Sequence, residues 1–508
     1  VGDVALLGDR IAAVGQLQGA RAREEWNVSG AIVAPGFINM LSWADESLLV
    51  DGRSLSDILQ GVTLEVFGEG TSLGPLNPSM REELQQNQGE LRYEVSWSTL
   101  GEYLQHLESR GVSPNVASFV GAGTVRQYVL GYENRPPRPH ELEQMRQLVE
   151  QAMLEGAMGV GSSLPYAPGA YASTEELMAL AEVAGRYGGL YISHIRDEGE
   201  RLLESLDEFL EIVRRAGVRG EVYHLKASGR KNWGKLELAI AKLEAARAAG
   251  LAVTADMYPY PASSTGLTYA LPSWMFEGGF ERLLERLRDR EVRARARSEL
   301  SLIPPADLLL TSFRKPELRR YLGWTLEAVA RERGKDPEEV LFDLILEDES
   351  HIGTVRFTMS EENVRRLLQL PWVSIGSDGA SIAPEPPFTL SLPHPRAYGT
   401  FARILGYYVR EEKILSLEDA VRKMASLPAQ TLGLVDRGRV APGFYADLVV
   451  FDPERIRDRA TYTEPHQLAE GVVHVLVNGV PVIQNGRHTG AKPGRFVKGP
   501  GVRGKLAV

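Results

Sequence analysis

Eight short runs rich in β-branched and apolar residues recur through the middle of this chain, most of them separated by stretches of helical periodicity. They read "FINMLSW", "VTLEVFG", "NVASFVG", "AMGVGSS", "LYISH", "EVYHL", "AVTADMY" and "VSIGSD". Strand and helix alternating in this way is the signature of parallel βα units, and eight of them favour a closed (β/α)8 barrel over an open sheet. The fold class is therefore α/β. The unit from Ser173 to His194 shows the local logic. Ser173 and Glu176 have capping-box spacing, "ELMALAEVAGRY" carries an apolar stripe, and Gly188 with Gly189 stops the helix before "LYISH".

The two ends have a different texture. "VALLG", "RIAAVG" and "AIVAPG" at the start, and "ADLVVFDP", "VVHVLVNG" and "VPVIQNG" at the close, are Gly-punctuated antiparallel strands. They are expected to meet in a small β-sandwich built from residues 1–36 and 438–508, leaving 37–437 as the barrel. The opening "VGDVALLGDRIAAVG" starts as though in mid-sheet, so an upstream strand or targeting segment is expected, and localisation stays open between cytoplasm and periplasm. Between the seventh and eighth runs, about 270–350 reads as a helical insertion, with "FERLLERLRDREVRARARSEL" as a solvated charged face.

Composition narrows the chemistry. A net charge of −10 without a Lys/Arg cluster argues against nucleic acid and anionic membrane, and no apolar run is long enough to span a bilayer. A small-molecule substrate is the expected partner, and a homo-oligomer is compatible with the sequence. With no cysteine, any metal must be held by His, Asp or Glu.

Barrel chemistry sits at the C-terminal ends of the strands. His194 ends the fifth run, His224 lies near the end of the sixth, and Asp378 ends the eighth. Two imidazoles suit Zn²⁺, and a catalytic zinc usually takes a third protein ligand beside its water. Glu69, after the second run, is the first choice for that ligand, with Glu65 four residues earlier as a deeper alternative. Zinc lowers the pKa of its water toward about 7. Asp378 is placed to move a proton from that water to a leaving group.

The segments "GVTLEVFGEG", "PYAPGAYASTEEL", "YISHIRDEGE", "YHLKASG", "DMYPYPASS", "SIGSDG", "HPRAYGTFARILG" and "GRVAPGFYADLVVFDP" follow one another in an order that resembles the D-aminoacylases. These are N-acyl-D-amino-acid deacylases of the amidohydrolase superfamily. The resemblance implies an amidohydrolase-type barrel with a terminal sandwich, zinc dependence, and hydrolysis of the amide of an N-acyl-D-amino acid. It implies metal ligands at His194 and His224, the acid/base at Asp378, and a grip on the substrate carboxylate by Lys226, Tyr166, Tyr258, Ser264 and Arg396.

The departures are local. The family's acidic residue and two histidines on strand one fall on Asn39, Leu41 and Trp43, and its cysteine after strand two falls on Gly70. One of two metal positions should therefore be absent, leaving one Zn²⁺ per chain. The set Glu69, His194 and His224 is similar to that of N-acetylglucosamine-6-phosphate deacetylases that also lack the His-x-His pair. Leu41 and Trp43 are expected to wall the pocket against the acyl group. Alternatives are another amide, such as a dipeptide or a long-chain N-acyl amino acid, or a metal-free ligand-binding pseudoenzyme.

Overall fold

The structure is a computed structural model that describes residues 2–505. All eight expected runs contain strand residues, in sequence order. Phe37–Asn39, Val62–Phe67 and Asn115–Ser118 form one parallel sheet. Val120–Gly121, Gly159–Ser163, Leu190–His194, Arg219–Val222, Val253–Met257 and Val373–Ile375 form a second, also parallel. The third run serves both sheets, interrupted only at Phe119. On the other side, Ser42 forms a parallel bridge with Gly379, and the Asp378 amide donates to the Leu41 carbonyl at 2.9 Å.

Val62–Phe67 and Leu190–His194 are buried throughout, because helices cover one face of these strands and the core fills the other. The helix Leu202–Ala216 shows how the cover is made. Leu202, Leu206, Phe209, Leu210 and Val213 recur at the three- and four-residue spacing that lays one stripe against the sheet. Helix Thr174–Arg186 begins as expected, with Ser173 accepting from the Glu176 amide at 3.2 Å. The reciprocal half of the capping box is not formed. The Glu176 carboxylate instead pairs with buried Arg126 at 2.5 Å, a charge-assisted contact that outcompetes a local backbone amide.

The chain ends meet. Ile32–Pro35 pairs with Leu448–Phe451 in a five-stranded antiparallel sheet that continues through Val472–Val477, Val480–Gln484 and Arg487–His488. The hairpin Asp3–Leu7 and Arg10–Gly15 shares an apolar cluster with it, in which Ile11 meets Ala446, Leu448 and Leu476. Beyond His488 the chain turns to the N-terminal ends of the parallel strands, where the Val116 amide donates to the Arg495 carbonyl at 3.0 Å.

The segment between the seventh and eighth runs carries its own core, including Met275, Leu283, Leu287, Phe342 and Ile345. It is not purely helical. Ser263–Gly266, Gly353–Arg356 and Leu308–Leu310 form a three-stranded antiparallel sheet that frames the helices. "SSTG" has no apolar alternation to mark it as a strand; its ladder partners make it one. Helices Phe280–Arg288 and Arg290–Ser298 bury only Leu283, Leu287 and Ala296 and leave most of their charges in water. Among the described residues, no helix is long and apolar enough to cross a membrane.

Candidate metal centre

Glu69, His194 and His224 converge at the C-terminal ends of the parallel strands, with their ligand atoms all within 4.8 Å of one another. Glu69 Oε1 lies 2.8 Å from His194 Nδ1 and 2.9 Å from His224 Nε2. Each residue arrives by a different backbone device. His194 is the last residue of its strand. His224 follows its strand in the left-handed region at φ 33°, with its amide donating to Asp256 Oδ1 at 2.8 Å. Non-glycine residues in that region are uncommon and concentrate at sites where geometry is imposed by the surroundings.

Glu69 is held between two glycines that no side chain could replace without movement. A Cβ at Gly68 would come 2.4 Å from the Phe119 carbonyl oxygen, and one at Gly70 would come 2.3 Å from Ser163 Cβ. Gly70 also sits at φ 75°. A side chain at position 70 is thus shut out on this backbone, and the carboxylate stands one residue earlier, at Glu69. Glu65 is four residues deeper and meets neither imidazole. It accepts from Asn39 Nδ2 at 3.0 Å and from Ser54 at 3.4 Å.

A carboxylate oxygen bracketed by two imidazole nitrogens is a His₂Glu donor set, which fits Zn²⁺. Electrostatics point the same way. Burial alone would raise the Glu69 pKa, but the facing His224 and His194 hold it well below the ordinary carboxylate range. Burial and Lys226 pull the His224 pKa down, yet Glu198 and Glu69 on its two sides push it up to about 10. An imidazole that collects a proton between two carboxylates marks a place of strong negative potential, where a divalent cation is favoured.

Glu198 is the residue the sequence did not reveal. It lies four residues past His194 in "IRDEGE", which reads as a charged surface loop. Its Oε1 is 2.9 Å from His224 Nδ1 and 2.5 Å from Lys226 Nζ, and Oε2 is 3.6 Å from His194 Nε2. A carboxylate on the far nitrogen of a ligand histidine fixes its tautomer and ring orientation. The i, i+4 spacing from His194 was the only available signal.

The other expected residues divide into two groups. Asp378, at φ 50°, is nearly buried and pairs through Oδ2 with Arg396 Nη1 at 2.7 Å. Burial raises its pKa above the usual value, against the opposing pull of Arg396. The Arg396 guanidinium lies 4.5 Å over the Tyr258 ring, and its buried Nε has no hydrogen-bond partner among the described residues. Lys226 is 5.7 Å from the same ring and 2.7 Å from His224 Nδ1. Tyr166 stands edge-on to His194, with ring centroids 5.6 Å apart. Its hydroxyl contacts Thr265 at 2.8 Å. Ser264 is the outlier, since its hydroxyl donates to the Thr354 carbonyl at 2.9 Å within the antiparallel sheet. Only its carbonyl turns inward, 3.3 Å from Arg396 Nη2.

The three substituted positions on strand one have separate fates. Asn39 is buried and ties three strands, reaching Glu65 and, at 2.8 Å, Ser377. Leu41 is fully buried in the core with Ile38, Met40 and Leu64, so it does not wall the pocket as expected. Trp43 is 37% exposed and does line a cavity of about 1220 Å³ between the strand ends and the insertion. Tyr166, Leu73, Tyr269, Phe276 and Phe388 also face that chamber.

Comparison with known proteins identifies the family. The model of the Amidohydrolase family matches residues 323–483. The D-aminoacylase of Alcaligenes xylosoxydans xylosoxydans is 36% identical over 97% of this chain and 93% of its own. The crystal structure of the N-acyl-D-glutamate deacylase from Bordetella bronchiseptica, complexed with zinc and a phosphonate inhibitor, superimposes with a TM-score of 0.81. It is 32% identical, covering 98% of this chain and 95% of that one. A structure from work on the binuclear metal center of D-aminoacylase, concerned with one-metal activation and second-metal attenuation, also gives a TM-score of 0.81. It is 36% identical over 98% and 95% of the two chains. The chain belongs to the D-aminoacylase family of amidohydrolases.

Proposed function

We propose that this protein is a single-zinc hydrolase that cleaves the amide of an N-acyl-D-amino acid to a carboxylate and the free amino acid. The observation that carries the proposal is Glu69 Oε1 within 2.9 Å of both imidazoles at the strand ends. Support comes also from relatives named as D-aminoacylase and N-acyl-D-glutamate deacylase, one of them holding zinc. The parallel strands are read as a closed (β/α)8 barrel of residues 37–437. The two chain ends, 1–36 and 438–508, are read as its β-sandwich, with residues 1 and 506–508 lying outside the described residues.

In this reading Glu69, His194 and His224 hold one Zn²⁺, with Glu198 orienting His224. When bound, zinc supplies a Lewis acid that acidifies a water and polarises the amide carbonyl. Asp378 takes the proton as the water oxygen bonds to the carbonyl carbon. It returns that proton to the nitrogen as the C–N bond breaks, so acid and base roles fall to one group. Its raised pKa suits a carboxyl that must be protonated within the cycle. The free Arg396 Nε, Lys226, Tyr166 and Tyr258 receive the substrate carboxylate, for which Arg is the preferred partner, while Ser264, its hydroxyl held by Thr354, contributes only by holding Arg396 through its carbonyl.

A second reading concerns the acyl group. The chamber beyond Trp43 and Tyr166 is large and partly aromatic, which favours a bulky acyl chain over acetyl. An activity screen of N-acetyl, N-phenylacetyl and N-decanoyl D- and L-amino acids with added zinc tests both. Hydrolysis confined to D substrates is expected, with the longer acyl groups faster. Turnover of the L series alone would remove the D assignment, and equal rates across acyl groups would remove the chamber's role.

A further inference from the structure

We infer that Trp43 is a positioning residue: its indole N–H locks the ligand carboxylate Glu69 to the proton carrier Asp378, and closes the space between them to a second cation. The inference rests on the single-zinc reading above. Trp43 Nε1 lies 3.0 Å from Glu69 Oε2 and 3.0 Å from Asp378 Oδ1, so one N–H is shared by two carboxylates. Its backbone is pinned as well, the Trp43 amide donating to the Gly379 carbonyl at 2.9 Å.

The division of oxygens gives the contact its meaning. Glu69 turns Oε1 to the imidazoles and Oε2 to the indole. Asp378 turns Oδ2 to Arg396 and Oδ1 to the indole. Two buried carboxylates this close in one site repel each other, and a shared donor between them relieves that repulsion. Indole is a donor only and stays neutral. It therefore orders both groups without adding a charge, and a second metal ion would have to displace it to reach the same lone pairs. Trp43 also lines the chamber, alongside Tyr166.

The test compares wild type with Trp43→Phe and Trp43→His, using zinc stoichiometry, zinc affinity by competition with a chromophoric chelator, and steady-state kinetics. Trp43→Phe keeps an aromatic ring and removes the N–H. Zinc affinity and kcat are each expected to fall about tenfold to a hundredfold, the usual effect of deleting a group that orients a metal ligand, with KM little changed. Wild type should saturate at one zinc per chain in excess zinc. Trp43→His places an imidazole between the same carboxylates and should admit a second. A Trp43→Phe protein with unaltered affinity and kcat, or a wild type that takes two zinc ions, overturns the inference. A wild type that binds no zinc and hydrolyses no N-acyl amino acid removes the hydrolase reading itself, and this inference with it.

Discussion

Asp378 can be separated from its surroundings at the level of a single atom. Asn tolerates the left-handed backbone that the residue adopts at φ 50°, so Asp378→Asn leaves the backbone unstrained and removes the capacity to carry a proton, together with the charge that faces Arg396. Turnover is expected to fall about 10²- to 10⁴-fold with zinc content unchanged, measured by kcat alongside metal analysis. His194, His224 and Asp378 were legible in the sequence because strand ends are where a barrel exposes chemistry, and strands announce themselves by β-branched runs. Glu198 was not, because a charged residue on a loop looks solvated until the fold buries it between Lys226 and His224. Trp43 was legible as a lost histidine and as a pocket wall, but not as a hydrogen-bond donor. Two absent histidines are visible in a string of letters, whereas an indole N–H shared by distant carboxylates is a product of tertiary structure.

At the scale of an element, the second parallel strand and the turn after it decide which residue can reach the two imidazoles of the candidate metal centre. Gly68 and Gly70 approach neighbouring backbone so closely that the turn has one solution, with Glu69 aimed at the imidazoles. Gly70→Cys, which restores the letter found in the resembled family, should therefore fail to add a ligand. It should destabilise the protein by about 1–3 kcal/mol or more through overpacking and the unfavourable φ, seen as a lower thermal midpoint. A stable cysteine variant with tighter zinc binding would contradict the geometry. The same scale shows where element reading stops. The strand Ser263–Gly266 carries no apolar alternation and is defined by its pairing with Gly353–Arg356, so the insertion read as helices alone. Glu176 had the spacing of a capping partner but lies closer to a buried arginine, and the stronger electrostatic partner won.

Across the whole molecule, the network linking the first, second and eighth parallel strands makes stability depend on pH. Burial pushes the Glu65 pKa up to about 7, despite hydrogen bonds from Ser42, Asn39 and Ser54, and Asp57 buried nearby is raised as well. The unfolded chain releases this proton near pH 4, so between there and about pH 7 the folded state binds the extra proton. The stability that this group contributes is complete below pH 4 and is lost as pH rises through 7. Glu65→Gln should gain stability relative to wild type between pH 5 and pH 8 in urea titrations; a difference constant with pH would contradict the assignment. The alternation of parallel strands and helices was legible because periodicity and Gly punctuation survive in a single sequence, and so was the meeting of both chain ends, which pair in one sheet. The question of how many metal ions the protein holds was narrowed by the missing histidines and cysteine, and its answer turns on Glu69. The most direct measurement is zinc content per chain in purified wild type and Glu69→Gln, read beside hydrolysis of an N-acyl-D-amino acid. One zinc in the wild type, lost together with activity in the variant, is the predicted result; zinc and activity unaffected by the substitution would contradict the account.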